Sequence, residues 1–183
     1  MDLSVLDIFL LSLLDRGVQT PYELQREAGI SQGASLPSLR RLVASKLASM
    51  EEGKTATNRP RHVYRLTSSG KKEARTAWKS YLNSADARLD LDSILRVVDM
   101  AAHYRADKAK IRAFLRRASA KKVLAAQQAG LAVQGTRHAD KLSYSAMRAR
   151  VDANRLSAEA DAIHGLADLF GRSGLPEGQQ PLI

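Results

Sequence analysis

Apolar residues recur at helical spacing through most of the chain, and the elements they predict fall into two groups. Leu3, Leu6, Leu10, Leu13 and Leu14 stand three and four apart, one stripe of an amphipathic helix that ends near Gly17. Thr20-Pro21-Tyr22-Glu23 has the form of a capping box, with Thr20 as N-cap, Pro21 at the first helical position and Glu23 reaching back. A short second helix is therefore expected, stopping at Gly29. Leu36, Leu39, Leu42 and Val43 draw another one-sided stripe and predict a third helix from about Ser35 to Ser45, with Pro37 tolerated in its first turn. Leu47 to Glu52 and Arg61 to Thr67 then read as short strands, joined by the polar, turn-rich stretch Gly53 to Pro60 into a hairpin. Thr67 caps a fourth helix running through Trp78 toward Leu82.

Beyond residue 83 the pattern is all helical. Of 28 alanines, 7 precede residue 83 and 21 follow it, and alanine is the strongest helix former. Leu91, Ile94, Leu95 and Val98 form one stripe; Ile111, Phe114, Leu115 and Ala118 a second; Leu156, Ala160, Ile163, Ala167 and Phe170 a third. Gly130 and Gly135 mark an expected helix end or kink, and Gly174 to Ile183 reads as a frayed tail. The expected fold is mainly α: a winged helix-turn-helix with a two-stranded wing over 1–82, a helical domain over 83–173, and a flexible tail over 174–183. The apolar faces of the second domain exceed what the first could cover, so pairing between two chains is expected to bury them.

Charge adds a class of partner. The chain carries 29 Lys and Arg against 19 Asp and Glu, a formal +10, which attracts polyanions, nucleic acid first among them. The excess divides evenly, 13 basic and 8 acidic residues in 1–82 against 16 and 11 in 83–183, so charge alone does not locate a binding domain. Position does. In a winged helix the third helix enters the major groove and the hairpin lies along the backbone. With the leucines inward, Pro37, Ser38, Arg41 and Ser45 turn outward and Arg40 lies on the flank. An outward arginine can fork two donors onto guanine, and serines near the helix start can reach phosphate or base edges. Lys54, Arg59, Arg61 and His62 cluster around the turn, with no acidic residue from Lys54 to Lys72. Tyr22, Gln32, Ser35, Ser38, Arg40, Arg41, Ser45, Lys54, Arg59, Arg61 and His62 are the candidate DNA contacts. Lys108, Lys110, Arg112, Arg116, Arg117, Lys121 and Lys122 make the second half locally basic as well, either as a solvated helix face or as an auxiliary DNA contact.

Three runs also carry a family resemblance: Pro21-Tyr22-Glu23-Leu24, the helix Ser35-Leu36-Pro37-Ser38-Leu39-Arg40-Arg41-Leu42, and Arg59-Pro60-Arg61-His62-Val63-Tyr64-Arg65-Leu66-Thr67-Ser68-Ser69-Gly70. Over its first 80 residues or so the chain resembles the PadR family of bacterial winged-helix transcriptional regulators. It departs from the family at Leu36, where a tyrosine is usual, and at Lys46, where a glycine is usual. The resemblance implies operator binding as a homodimer through a helical C-terminal region, and, in some members, a response to phenolic or multidrug-like ligands. The first core helix begins at Leu3, which places the expected dimerisation element after the winged helix rather than before it.

The function expected is that of a transcriptional regulator, a repressor, reading an inverted-repeat DNA operator as a homodimer. The alternative is a winged helix serving as a protein-interaction or RNA-binding module. Trp78 and Tyr81 are the candidate walls of a pocket for a small aromatic effector, against the competing reading that such aromatics form core or dimer interface. No enzyme, cofactor or metal site is expected: cysteine is absent, and His62, His103, His138 and His164 lack HxxxH or HExxH spacing. No apolar run approaches the ~20 residues a membrane span needs. Met1-Asp2-Leu3-Ser4 lacks the basic stretch of a signal sequence, so a cytoplasmic location is expected.

Overall fold

The structure is a computed structural model that describes residues 3–54, 60–83, 89–134 and 143–171. Eight helices and two strands are described: α1 Val5–Asp15, α2 Pro21–Ala28, α3 Gln32–Ala44, β1 Ala48–Lys54, β2 Pro60–Leu66, α4 Ser68–Thr76, α5 Trp78–Asn83, α6 Leu91–His103, α7 Lys108–Gln134 and α8 Tyr144–Leu169. They form two compact units, one of residues up to Tyr81 together with Leu95–Tyr104, the other of Leu82–Ile94 and the residues from Arg105. The fold is mainly α with a winged helix-turn-helix at its N-terminal end.

In the first unit, α1 is the centre. Its sequence suggests one stripe, but Val5, Ile8, Phe9, Leu10, Leu11, Leu13 and Leu14 are all buried, because α3, β2 and α4 pack around it. Each buried leucine of this kind contributes about 2 kcal/mol. Ser4 and Asp7 cap its start reciprocally. The capping box expected for α2 is present: Thr20 Oγ1 accepts from Glu23 N–H, and the Glu23 carboxylate accepts from the N–H groups of Gln19 and Thr20 at 2.9 Å. Gly29 ends α2 at φ 64°, a conformation that suits glycine. Buried Ile30 and the N-cap Ser31 complete a three-residue turn into α3.

Helix α3 begins three residues earlier than the leucine stripe suggests, since Ser31 caps it, and this puts Pro37 in the second turn rather than the first. The chain leaves α3 through Lys46, a non-glycine residue at φ 59°. β1 and β2 then pair antiparallel, with Ala48 opposite Leu66 and Lys54 opposite Pro60. Thr67 fastens the base of this hairpin. Its hydroxyl donates to Lys46 O at 2.8 Å, its N–H donates to Leu47 O, and its Oγ accepts from Gly70 N–H to cap α4. Gly70 is required there, because a Cβ would lie 1.9 Å from the Leu47 carbonyl oxygen. The expected fourth helix is divided at Ala77 into α4 and α5.

In the second unit α7 and α8 pack along each other. Ile111, Phe114, Leu115 and Ala118 face Ala160, Ile163 and Ala167 in a buried seam. Ser119 donates to Ala160 O, and Lys122 pairs with Glu159 at 2.6 Å. Helix α7 runs through Gly130 and ends at Gln134, within the 127–137 stretch where a helix end or kink is expected. Gly135 and the 174–183 stretch lie outside the described residues. The α6 stripe is rotated from the expected one: Ile94, Val97, Val98 and Ala101 are buried and Leu95 is exposed. Among the described residues no helix is long and apolar enough to cross a membrane.

Candidate nucleic-acid interface

The face of α3 that reaches solvent differs from the one drawn from leucine spacing. Ser38, expected outward, and Ser35, a candidate DNA contact, are buried at 1% and 0% exposure and share the inner face with Leu39 and Leu42. For Ser38 the reason is Asp7 of α1, itself buried. Its carboxylate accepts from Arg41 at 2.8 Å, and Arg41 also donates to Ser38 Oγ at 2.8 Å. Burial pushes the Asp7 carboxyl up, but hydrogen bonds from Ser4, Arg41 and Ser38 outweigh it and hold the group below the usual aspartate range. A polar network under the helix thus replaces part of an apolar stripe, and spacing along α3 alone does not reveal its partner.

The two arginines consequently differ in their partners. Arg41 is half exposed but anchored to Asp7 and Ser38. Arg40, placed on the flank by the spacing, is exposed and makes no hydrogen bond or ion pair with any described residue. It is the free fork on this helix. Gln32, at the first position of α3, is exposed, and the small residues Gly33 and Ala34 beside it leave the first turn open to close approach. Ser45 ends the helix with its hydroxyl bonded to Arg41 O at 2.6 Å.

Tyr22, at the start of α2, is 66% exposed, with the Arg26 guanidinium 5.9 Å from its ring centre. On β2, Arg61 and His62 are both exposed, opposite Gly53 and Glu52. Arg61 also reaches electrostatically to α2. The Glu23 carboxyl, pushed up by burial, is held below its ordinary value by the Gln19 and Thr20 N–H groups, with the Arg61 charge assisting. The exposed residues of the first unit therefore include Arg40, Arg41, Arg61, His62, Gln32 and Tyr22. Lys54 stands at the end of β1; Arg59 lies outside the described residues.

Trp78 and Tyr81 are occupied otherwise. Trp78 is 3% exposed, stacks on Tyr104 with ring centres 6.1 Å apart, and donates its indole N–H to Arg75 O. The Tyr81 hydroxyl donates to Leu3 O. Packing and satisfied polar tips give both residues a structural role and leave no open wall at Trp78. Tyr104 also bonds Asp15, and burial raises its hydroxyl above the ordinary tyrosine value. Spacing does not reveal these contacts because they join distant residues, Tyr81 to Leu3 across 78 positions and Tyr104 to Asp15 across 89. Among the described residues no group of His, Asp and Glu is arranged to hold a metal.

No family model matches the chain, and no curated protein matches it. Among solved structures it is similar to Bacillus subtilis PadR in complex with operator DNA, at 14% identity over 92% of this chain and 98% of that one, with a TM-score of 0.42. It is also similar to smu.1604c from Streptococcus mutans UA159, at 16% identity over 89% and 96%, with a TM-score of 0.34.

Proposed function

We propose that the protein is a PadR-like DNA-binding transcriptional regulator, a repressor, that reads an inverted-repeat operator as a homodimer. The observation that carries the reading is Arg40, exposed and without a partner among the described residues on the third helix of a winged helix-turn-helix, with Arg61 and His62 exposed on the wing. An arginine on a groove-entering helix can satisfy guanine O6 and N7 at once, whereas charges on a hairpin hold the flanking phosphates. Gln32 and the open first turn of α3 would approach the backbone, where helix N–H groups meet phosphate favourably. Arg41, tied to Asp7, sets the angle of the helix and offers its remaining edge to phosphate.

Dimerisation is supported by apolar surface on the helical unit. Leu124 and Leu131 stand seven apart on α7, and Tyr144, Met147 and Val151 recur at helical spacing on α8, all strongly exposed. Such stripes are what a second chain would cover. Two reading heads would then address half-sites about one DNA turn, ~34 Å, apart.

The test is fluorescence anisotropy on labelled fragments of the DNA upstream of the protein's own gene, with unrelated DNA as competitor and a salt series. Sequence-preferring binding that weakens steeply with salt is expected. Equal affinity for all fragments, or none, would overturn the reading and favour an interaction module.

A further inference from the structure

We propose that the helical unit carries a binding cleft for a small organic oxyanion, a carboxylate or a phosphate monoester, gripped by Arg112 and Arg116. The cleft has a volume of about 360 Å³ and is lined by Ala109, Arg112, Ala113 and Arg116 of α7 with Phe170 and Gly171 at the end of α8. Its composition is that of a ligand site in miniature: two cations a helical turn apart, two alanines that keep the walls low, and one aromatic ring.

The arginines are what set the cleft apart. Neither makes a hydrogen bond or ion pair with a described residue, and the Nε of Arg112 is buried without a partner. A buried, unsatisfied N–H is costly, and a guanidinium that lacks a carboxylate retains its fork for an external oxyanion. Among the described residues, α7 itself offers no internal substitute. Over its 27 residues α7 has no acidic side chain, while Lys108, Lys110 and Arg112 crowd its first turns, where the helix dipole already disfavours cations. The nearby Asp107 carboxylate is engaged by Ala109 N–H. Further along the same helix, Lys122 has its own glutamate.

Gly171 shows how closely Arg112 is held. A Cβ at that position would meet the guanidinium carbon at 2.6 Å and Nε at 2.8 Å, so the glycine lets the group come close against the backbone. Phe170, in the lining of the cleft, supplies an apolar surface for the body of the ligand. An oxyanion carried on a ring or short hydrocarbon fits that pairing better than a bare ion does.

The experiment is isothermal titration of the full chain with phenyl phosphate, benzoate and inorganic phosphate. Phenyl phosphate or benzoate is expected to bind at sub-millimolar concentration and inorganic phosphate more weakly, which separates organic ligands from free ion. Arg112→Gln should weaken binding about tenfold or more, as loss of a charge-assisted pair does. Gly171→Ala should weaken it by displacing the guanidinium, whereas Arg150→Gln, exposed and many turns away on α8, should leave it unchanged. Helical circular dichroism checks that each variant is folded. Failure of all three ligands to bind at 10 mM, on the order of the weakest specific sites, would overturn the proposal. Equal losses in Arg112→Gln and Arg150→Gln would do the same by showing general charge attraction. DNA binding enters none of these readings.

Discussion

The Arg41 guanidinium donates to the Asp7 carboxylate at 2.8 Å, so the helix proposed to read DNA is pinned to the first helix of the fold by its own arginine. Because Asp7 is buried and its carboxyl is held below its ordinary value of 3.8, the native state prefers the ionised form more than the unfolded chain does. Its contribution is therefore complete above the unfolded value and is lost as pH falls through the native one. Asp7→Asn should cost about 1–2 kcal/mol at pH 7, discounted because the arginine end is half in water. Urea unfolding at pH 7 and pH 3 should show the gap between wild type and variant narrowing in acid. A constant gap would sink the assignment.

Arg40 and Arg41 should separate in DNA binding. Arg40→Ala is expected to cost about 1–3 kcal/mol of affinity and to relax preference at one base pair. Arg41→Ala should lower affinity on all sequences alike and also lower the unfolding midpoint, since it removes an anchor from Asp7 and Ser38. Selection from a randomised half-site library, read beside a melting curve, distinguishes the two.

Gly70→Ala should be among the most damaging single-methyl additions in the first unit. The new Cβ would press on the Leu47 carbonyl, which is backbone and also accepts from Thr67. A loss of about 3 kcal/mol or more is expected by denaturant titration.

Lys46→Gly should act in the other direction. At φ 59° a side chain costs about 1 kcal/mol that glycine avoids. The glycine variant should gain up to that amount in urea unfolding, with DNA affinity unchanged.

Leu124→Glu combined with Val151→Glu should shift the chain from dimer to monomer in sedimentation equilibrium. Both side chains are more than half exposed, so the substitutions should leave the melting of the isolated helix pair nearly untouched.

How much of this was legible in the sequence depends on the reach of each interaction. The Thr20 capping box and the Gly29 stop are local, and both stand as the residues suggest. The hairpin and the stripes of α7 and α8 were legible for the same reason: their signal is periodic over neighbouring residues. The inward turn of Ser38 was not, since its cause is a carboxylate 31 positions earlier, between Asp7 and Ser38. Nor was the tie of Arg41 to Asp7, which follows from that same carboxylate. For Trp78 the sequence left a core role and a pocket wall side by side; its burial against Tyr104 of another helix fits the core role.

That partner has a topological consequence. Tyr104 belongs to the stretch Leu95–Tyr104 that clusters with the winged helix, as does Asp99, which pairs with Arg16 of the α1 C-cap. The chain therefore passes from one unit to the other three times, at 81–82, 94–95 and 104–105. A single cut near residue 83 would not release a finished reading head; it would sever that head from one of its own pieces. An excised winged helix regains its complement only when the 95–104 segment is grafted back or supplied as a peptide.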